Sequence, residues 1–124
     1  MPNLVEYHES GYLFVSYADG FSLDVFRQMV ACVKERNCFL VIEDVRSAVA
    51  KFSTTAIYEF PEQLAEVTMQ MGVSITQLKR AVIAPVHLLD DFRFFETVSL
   101  NRSQSVHVFC DVDEARAWLM SDHA

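Results

Sequence analysis

Cys38-Phe39-Leu40-Val41-Ile42 is an unbroken apolar run, closed by Glu43-Asp44-Val45-Arg46. A strand without polar alternation is covered on both faces, so this stretch predicts a central strand parallel to its neighbour. Upstream of it, Asp19-Gly20 ends an extended segment and Ser22 fits a helix N-cap. Leu23, Phe26, Val30 and Val33 then recur at helical spacing, with Met29 beside them. That helix stops near Lys34-Glu35-Arg36-Asn37, where cations suit the negative end of the dipole and Asn tolerates a left-handed exit. Downstream, Ser53-Thr54-Thr55 offer cap hydroxyls. Ile57, Phe60, Leu64, Val67 and Met71 follow as an apolar stripe that crosses Pro61 and ends at Gly72. Pro61 removes an amide donor, so this segment predicts one kinked helix or two abutting ones.

Further out, the pattern extends in both directions. Leu4 to Tyr17 alternates with a period of two on either side of Ser10-Gly11, which predicts a β-hairpin on the outer part of a sheet. Arg80 to Ala84 is a short buried strand ended by Pro85. Leu89, Phe92, Phe95 and Val98 make a helix face that finishes near Asn101-Arg102. Val106, Val108 and Cys110 alternate with His107 and Phe109 in a last strand. Asp111 and Glu114 then have the spacing of a capping box, and Ala115, Trp118 and Leu119 dock the final helix. The expected order is ββαβαβαβα: one α/β domain over residues 1–124, with a mixed, mostly parallel five-stranded sheet and four helices. Crossovers between the parallel strands are expected to be right-handed.

Composition narrows the classes of function. A chain of 124 residues with 52% hydrophobic residues and ten Phe can bury a core without staples. Three Gly and three Pro leave little for linkers, and disorder is expected only in the first few residues and after Leu119. Ten Lys and Arg against seventeen Asp and Glu give a net charge of −7. The cations are scattered, which argues against nucleic acid and anionic membrane surfaces, and the acidity serves solubility and steering. No apolar run approaches the roughly 20 residues of a membrane span, and no signal peptide follows Met1. Cys32, Cys38 and Cys110 read as buried free thiols in a reducing compartment, so a cytosolic location is expected.

Several local strings look familiar in combination. The opening hairpin, the strand ending Val41-Ile42-Glu43-Asp44-Val45-Arg46 and the Ser/Thr-led helix resemble SpoIIAA-like, STAS-type domains. Phe92-Arg93-Phe94-Phe95-Glu96 and the run from Val108 to Leu119 are similar to the bacterial STAS- and SEC14-like branch. The resemblance spans nearly the whole chain and implies a protein-interaction module. Its best-understood members carry an Asp-Ser-Ser-Gly-like motif with a phosphorylated serine. The matching stretch is Ser53-Thr54-Thr55, entered by Lys51-Phe52, without the leading Asp or the trailing Gly.

The candidate chemistry gathers where strands give way to helices. Asp44 and Arg46 lie at the carboxyl end of the central strand, where open α/β sheets place ligands. His87 follows the next strand, with Asp90 and Asp91 nearby, and Asp111 follows the last. A non-enzymatic module would use Asp44, Arg46, Ser53 and Thr54, with His87 and Asp90 on the same rim, to bind a protein partner; a homodimer is also expected. A phosphate on Ser53 or Thr54 would sit at a helix N-terminus, although either hydroxyl equally serves as a plain cap. The alternative is a SEC14-like carrier of a small molecule or lipid, its cavity lined by Phe60, Leu64, Phe92 and Phe95. A third reading is an enzyme pairing His87 with Asp44 or Asp90. Asp90 and Asp111 also fit helix caps, and Asp44-Arg46 fits a mutual pair. His8, His87, His107 and His123 share no ligand spacing, so neither metal nor cofactor is expected. Phe94 and the Met69-Gln70-Met71 run remain open between core packing and an adaptable contact.

Overall fold

A computed structural model describes residues 4–17, 22–47 and 54–121, including side chains except those of 54–58. Strands β1 (Leu4–His8), β2 (Tyr12–Ser16), β3 (Leu40–Asp44), β4 (Lys79–Ile83) and β5 (Ser105–Phe109) form one sheet in the order β1-β2-β3-β4-β5. β1 pairs antiparallel with β2 through a turn at Gly11, whose φ of 102° suits a residue without Cβ. All other pairings are parallel. Helices α1 (Leu23–Arg36), α2 (Thr54–Gln70), α3 (Leu89–Asn101) and α4 (Val112–Leu119) complete the expected order. Each of the first three crossovers moves one strand along in the same direction. Crossovers of one hand therefore put α1, α2 and α3 on one face.

The two faces follow from the pleat. Leu13, Val15, Val41, Val82, Val106 and Val108 point toward α1, α2 and α3 and meet Phe26, Met29, Leu64, Phe92 and Phe95 in the larger core. Tyr12, Ile42, Ala81 and Ile83 point the other way and meet Ala115 and Leu119 of α4. α4 is short, and Lys79 holds its end: Nζ donates to the carbonyls of Trp118 (2.9 Å), Leu119 (3.1 Å) and Ser121 (3.1 Å) and lies 4.6 Å from the Trp118 ring centre. A cation among terminal carbonyls complements the helix dipole.

Most local signals act as expected. Ser22 Oγ accepts from the amides of Asp24 and Val25, and Asn37 ends α1 with φ 51°. α2 is one helix through Pro61, whose carbonyl accepts from Gln104 Nε2 at 3.1 Å. Four expectations are corrected. The central strand runs two residues beyond Ile42, so Glu43 lies inside it rather than closing it. Asp90 does not cap α3: it is exposed in the first turn, and the cap position is Leu88, without a side-chain bond. The capping box is one-sided, because Asp111 Oδ1 accepts from the Asp113 amide while Glu114 stays exposed. The three cysteines are free but only partly buried. The Asp19-Gly20 turn, Ser53 and the two chain ends lie outside the described residues.

β5 is a sheet edge, and α3 covers part of it. Glu96 Oε2 accepts from the Val108 amide at 2.6 Å, and Arg93 Nη1 donates to the Val108 carbonyl at 3.1 Å. These side chains occupy backbone groups that an incoming strand would use. Glu96→Ala should cost about 1.5–3 kcal/mol, the worth of a hydrogen bond to a charged group. It should also raise concentration-dependent association. Urea unfolding and light scattering check both effects.

Candidate functional site

Glu43 and Arg80 are each 2% exposed, on a face otherwise built from apolar side chains. The strand register explains how they meet. Glu43 stands opposite Val82 and Arg80 opposite Val41, so the two are diagonal neighbours on the same face of β3 and β4. Arg80 Nε donates to Glu43 Oε1 at 2.5 Å. Tyr17, one residue beyond β2, donates its hydroxyl to Glu43 Oε2 at 3.1 Å. The guanidinium carbon lies 5.5 Å from the Phe26 ring centre, a cation–π contact that offers the charge a polarizable neighbour. Burial, and next the Glu43 carboxylate, hold the Tyr17 phenol well above its ordinary value.

Arg80 Nη1 is buried and has no hydrogen-bond partner among the described residues. Arg80, Glu43 and Tyr17 share the lining of a cavity with Val45, Phe60, Leu64, Val82, Phe92 and Phe95. Its interior is about 20 Å³, room for about one water, within a depression whose free space out to solvent is about 300 Å³. The four residues expected to line a carrier cavity all line this one. Its closed interior is far too small for an acyl chain.

The rim at the carboxyl end of β3 is of another kind. Arg46 Nε and Nη2 donate to Asp44 Oδ1 and Oδ2 at 3.0 and 2.9 Å, and the Arg46 amide also donates to Oδ1. Asp44 is 17% and Arg46 43% exposed at the side chain. The hydrogen bond to Asp44 raises the Arg46 pKa first, and Asp111 adds a smaller attraction. Asp44, Arg46 and Asp111 are thus neighbours in charge. His87 is not brought to them: it is exposed in a short 3-10 turn at Val86–Leu88 and, among the described residues, makes no hydrogen bond or ion pair with Asp44 or Asp90. Thr54 begins α2, with its side chain outside the described residues. Among those residues no group of three or more His, Cys, Asp or Glu is arranged for a metal. His107 faces Trp118, ring centres 4.5 Å apart, with Nδ1 3.7 Å from Glu96 Oε2. Phe94 points outward at 50% exposure while Phe92 and Phe95 enter the core, and Met69 is exposed. Among the described residues no helix is long and apolar enough to cross a membrane.

Sequence reasoning missed the Glu43–Arg80 pair. The signal was there: Glu43 is in phase with Val41 and Val45, and Arg80 with Val82 and Ala84. Opposite charges at inward positions of neighbouring strands are partners if both strands are covered.

Glu43→Ala or Arg80→Ala should each cost about 3–5 kcal/mol by stranding one buried charge. Glu43→Leu with Arg80→Met should recover most of that loss in urea unfolding. Tyr17→Phe should cost about 1 kcal/mol at neutral pH. The folded phenol keeps its proton after the unfolded one has lost it, so stability should fall as pH rises past 10.0. Unfolding measured from pH 8 to about 11 should show a shallower alkaline loss in Tyr17→Phe than in the parent.

No protein-family model, curated protein or solved structure matches this chain.

Proposed function

We propose that the chain is a non-enzymatic, STAS-like binding module whose partner is a protein docking at the carboxyl-end rim of the sheet. The observation that carries this reading is the Asp44–Arg46 fork, whose guanidinium side is open to solvent. The fork is open to solvent on its Arg46 side, so a partner's carboxylate or phosphate can reach the guanidinium beside Asp44. Arg presents a planar donor fork suited to that contact. α2 begins at Thr54, and a phosphate on Ser53 or Thr54 would add negative charge at that helix start. A homodimer belongs to the same proposal.

The cavity favours a second reading, binding of a small molecule in the manner of SEC14-like proteins. Its lining by Phe60, Leu64, Phe92 and Phe95 supports this, with a ligand smaller than a lipid.

For the rim, Asp44→Ala with Arg46→Ala should lower the unfolding free energy by no more than about 1 kcal/mol, because removing both partners leaves no charge unpaired. The same variant should lose a protein that co-purifies with the parent chain, read by affinity capture and mass spectrometry. Equal capture by the two chains sinks the rim assignment.

A further inference from the structure

The two edges of the sheet are finished differently. At β5 the side chains of Glu96 and Arg93 occupy the Val108 amide and carbonyl. β1 carries no such guard among the described residues, and four of its five residues are exposed. The Gly11 amide donates to the His8 carbonyl, so the backbone groups of His8, Glu6 and Leu4 turn toward β2. Those of Val5 and Tyr7 therefore point outward, and among the described residues no side chain or loop hydrogen-bonds to them. We propose that this edge pairs antiparallel with β1 of a second copy of this chain, about a two-fold axis at Tyr7, joining two five-stranded sheets into one. The proposal rests on the homodimer of the reading above and gives it an interface.

Charge selects both the occupant and the register. Glu6 and His8 stand two residues apart on one face of β1, both exposed. His8 stacks on Tyr12, ring centres 4.6 Å apart, and its Nδ1 accepts from the Ser10 amide at 3.1 Å. An imidazole whose Nδ1 accepts keeps its proton on Nε2, so the held ring retains a donor there. An acceptor and a donor spaced this way complement their own antiparallel copy. With the two Tyr7 residues opposite each other, each Glu6 faces the second copy's His8. A two-fold axis normal to the sheet keeps residues of one face together, so the competing registers centre on Glu6 or on Val5. Centring on Glu6 sets two carboxylates directly opposite, and centring on Val5 sets each Glu6 against Leu4. Only the Tyr7 register forms two pairs of opposite character. There the outward amide and carbonyl of each Tyr7 exchange bonds with those of the other. The two rings also meet as a cross-strand aromatic pair, each held by Arg36, 4.3 Å from the ring centre in its own chain.

Sedimentation equilibrium of the full chain tests this, with urea unfolding to show that each variant is folded. The parent should dimerise, and Glu6→Lys should weaken the dimer at least about tenfold, because both facing pairs are lost together. Glu6→Lys with His8→Glu restores opposite charges in the Tyr7 register and should recover the parent affinity to within about threefold. In the Glu6 register the same variant would set two lysines opposite and recover nothing. Tyr7→Pro removes an outward N–H without touching a bond between β1 and β2, and it should abolish the dimer. A parent chain that stays monomeric up to about 1 mM overturns the proposal. So does a dimer that survives Tyr7→Pro, or one that the charge swap fails to restore. Asp44→Ala with Arg46→Ala should dimerise as the parent does; a monomer there moves the interface to the rim and overturns the β1 assignment. Capture of a protein partner bears on the rim alone, so either reading can fail by itself.

Discussion

The Glu43–Arg80 ion pair sets the terms for the sheet around it. Removing two charges from water is expensive, and the pair offsets that only if its geometry holds. That geometry depends on register. A slip of one residue between β3 and β4 would carry one charge to the opposite face, under Ala115 and Leu119 of α4, and leave its partner alone beneath Phe26 and Leu64. The hydroxyl of Tyr17 adds β2 to the same arrangement. Three neighbouring strands are thus tied at one point, inside a layer whose apolar side chains would tolerate several alignments. An apolar pair of similar volume would hold the layers together as well. It would penalise a misaligned sheet far less.

The same economy governs the two sheet faces. Three helices cover one, and a single two-turn helix covers part of the other. α4 reaches β3, β4 and β5, so the outer side of the hairpin is left to Leu4, Glu6 and His8, all exposed. Tyr12 bridges the boundary: its ring stacks on His8 with centres 4.6 Å apart, and its hydroxyl accepts from Arg116 Nε at 3.2 Å. Lys79 secures the far end of α4, and Glu96 with Arg93 occupies the β5 edge. Each device uses a long side chain where the secondary structure alone runs out.

Periodicity made the element order, the hairpin and the helix faces legible, because burial on one side writes itself into spacing. Ser22 and Asn37 were legible as caps because their roles need only local backbone. What failed needed distance. Glu43 looked like a strand terminator since its partner lies 37 residues away and charge normally marks the surface. Arg80 was placed at the start of a buried strand without a partner for its charge; the pleat sends it inward to Glu43, and its neighbour Lys79 to α4. Asp90 fitted a cap by residue type, but the 3-10 turn before α3 moves the cap position back to Leu88. The four cavity residues were named from two separate helical stripes. That they share a wall with a buried guanidinium could not be read from either stripe.

One strand end serves both candidate sites, and the pleat keeps them apart. Glu43 and Val45 point into the α1–α3 layer and line the cavity, while Asp44 between them points to the other face and holds Arg46 outside. Consecutive residues therefore address different environments: a buried one where substitution acts on the core, and one at the rim where it acts on the pairing with Arg46. A defect produced at Asp44 with the fold intact cannot be assigned to the cavity, and one produced at Glu43 or Arg80 cannot be assigned to the rim. Because Asp44 alternates with Glu43 and Val45 along one strand, the partner proposal and the small-molecule proposal rest on different faces of the sheet, and either can fail without the other.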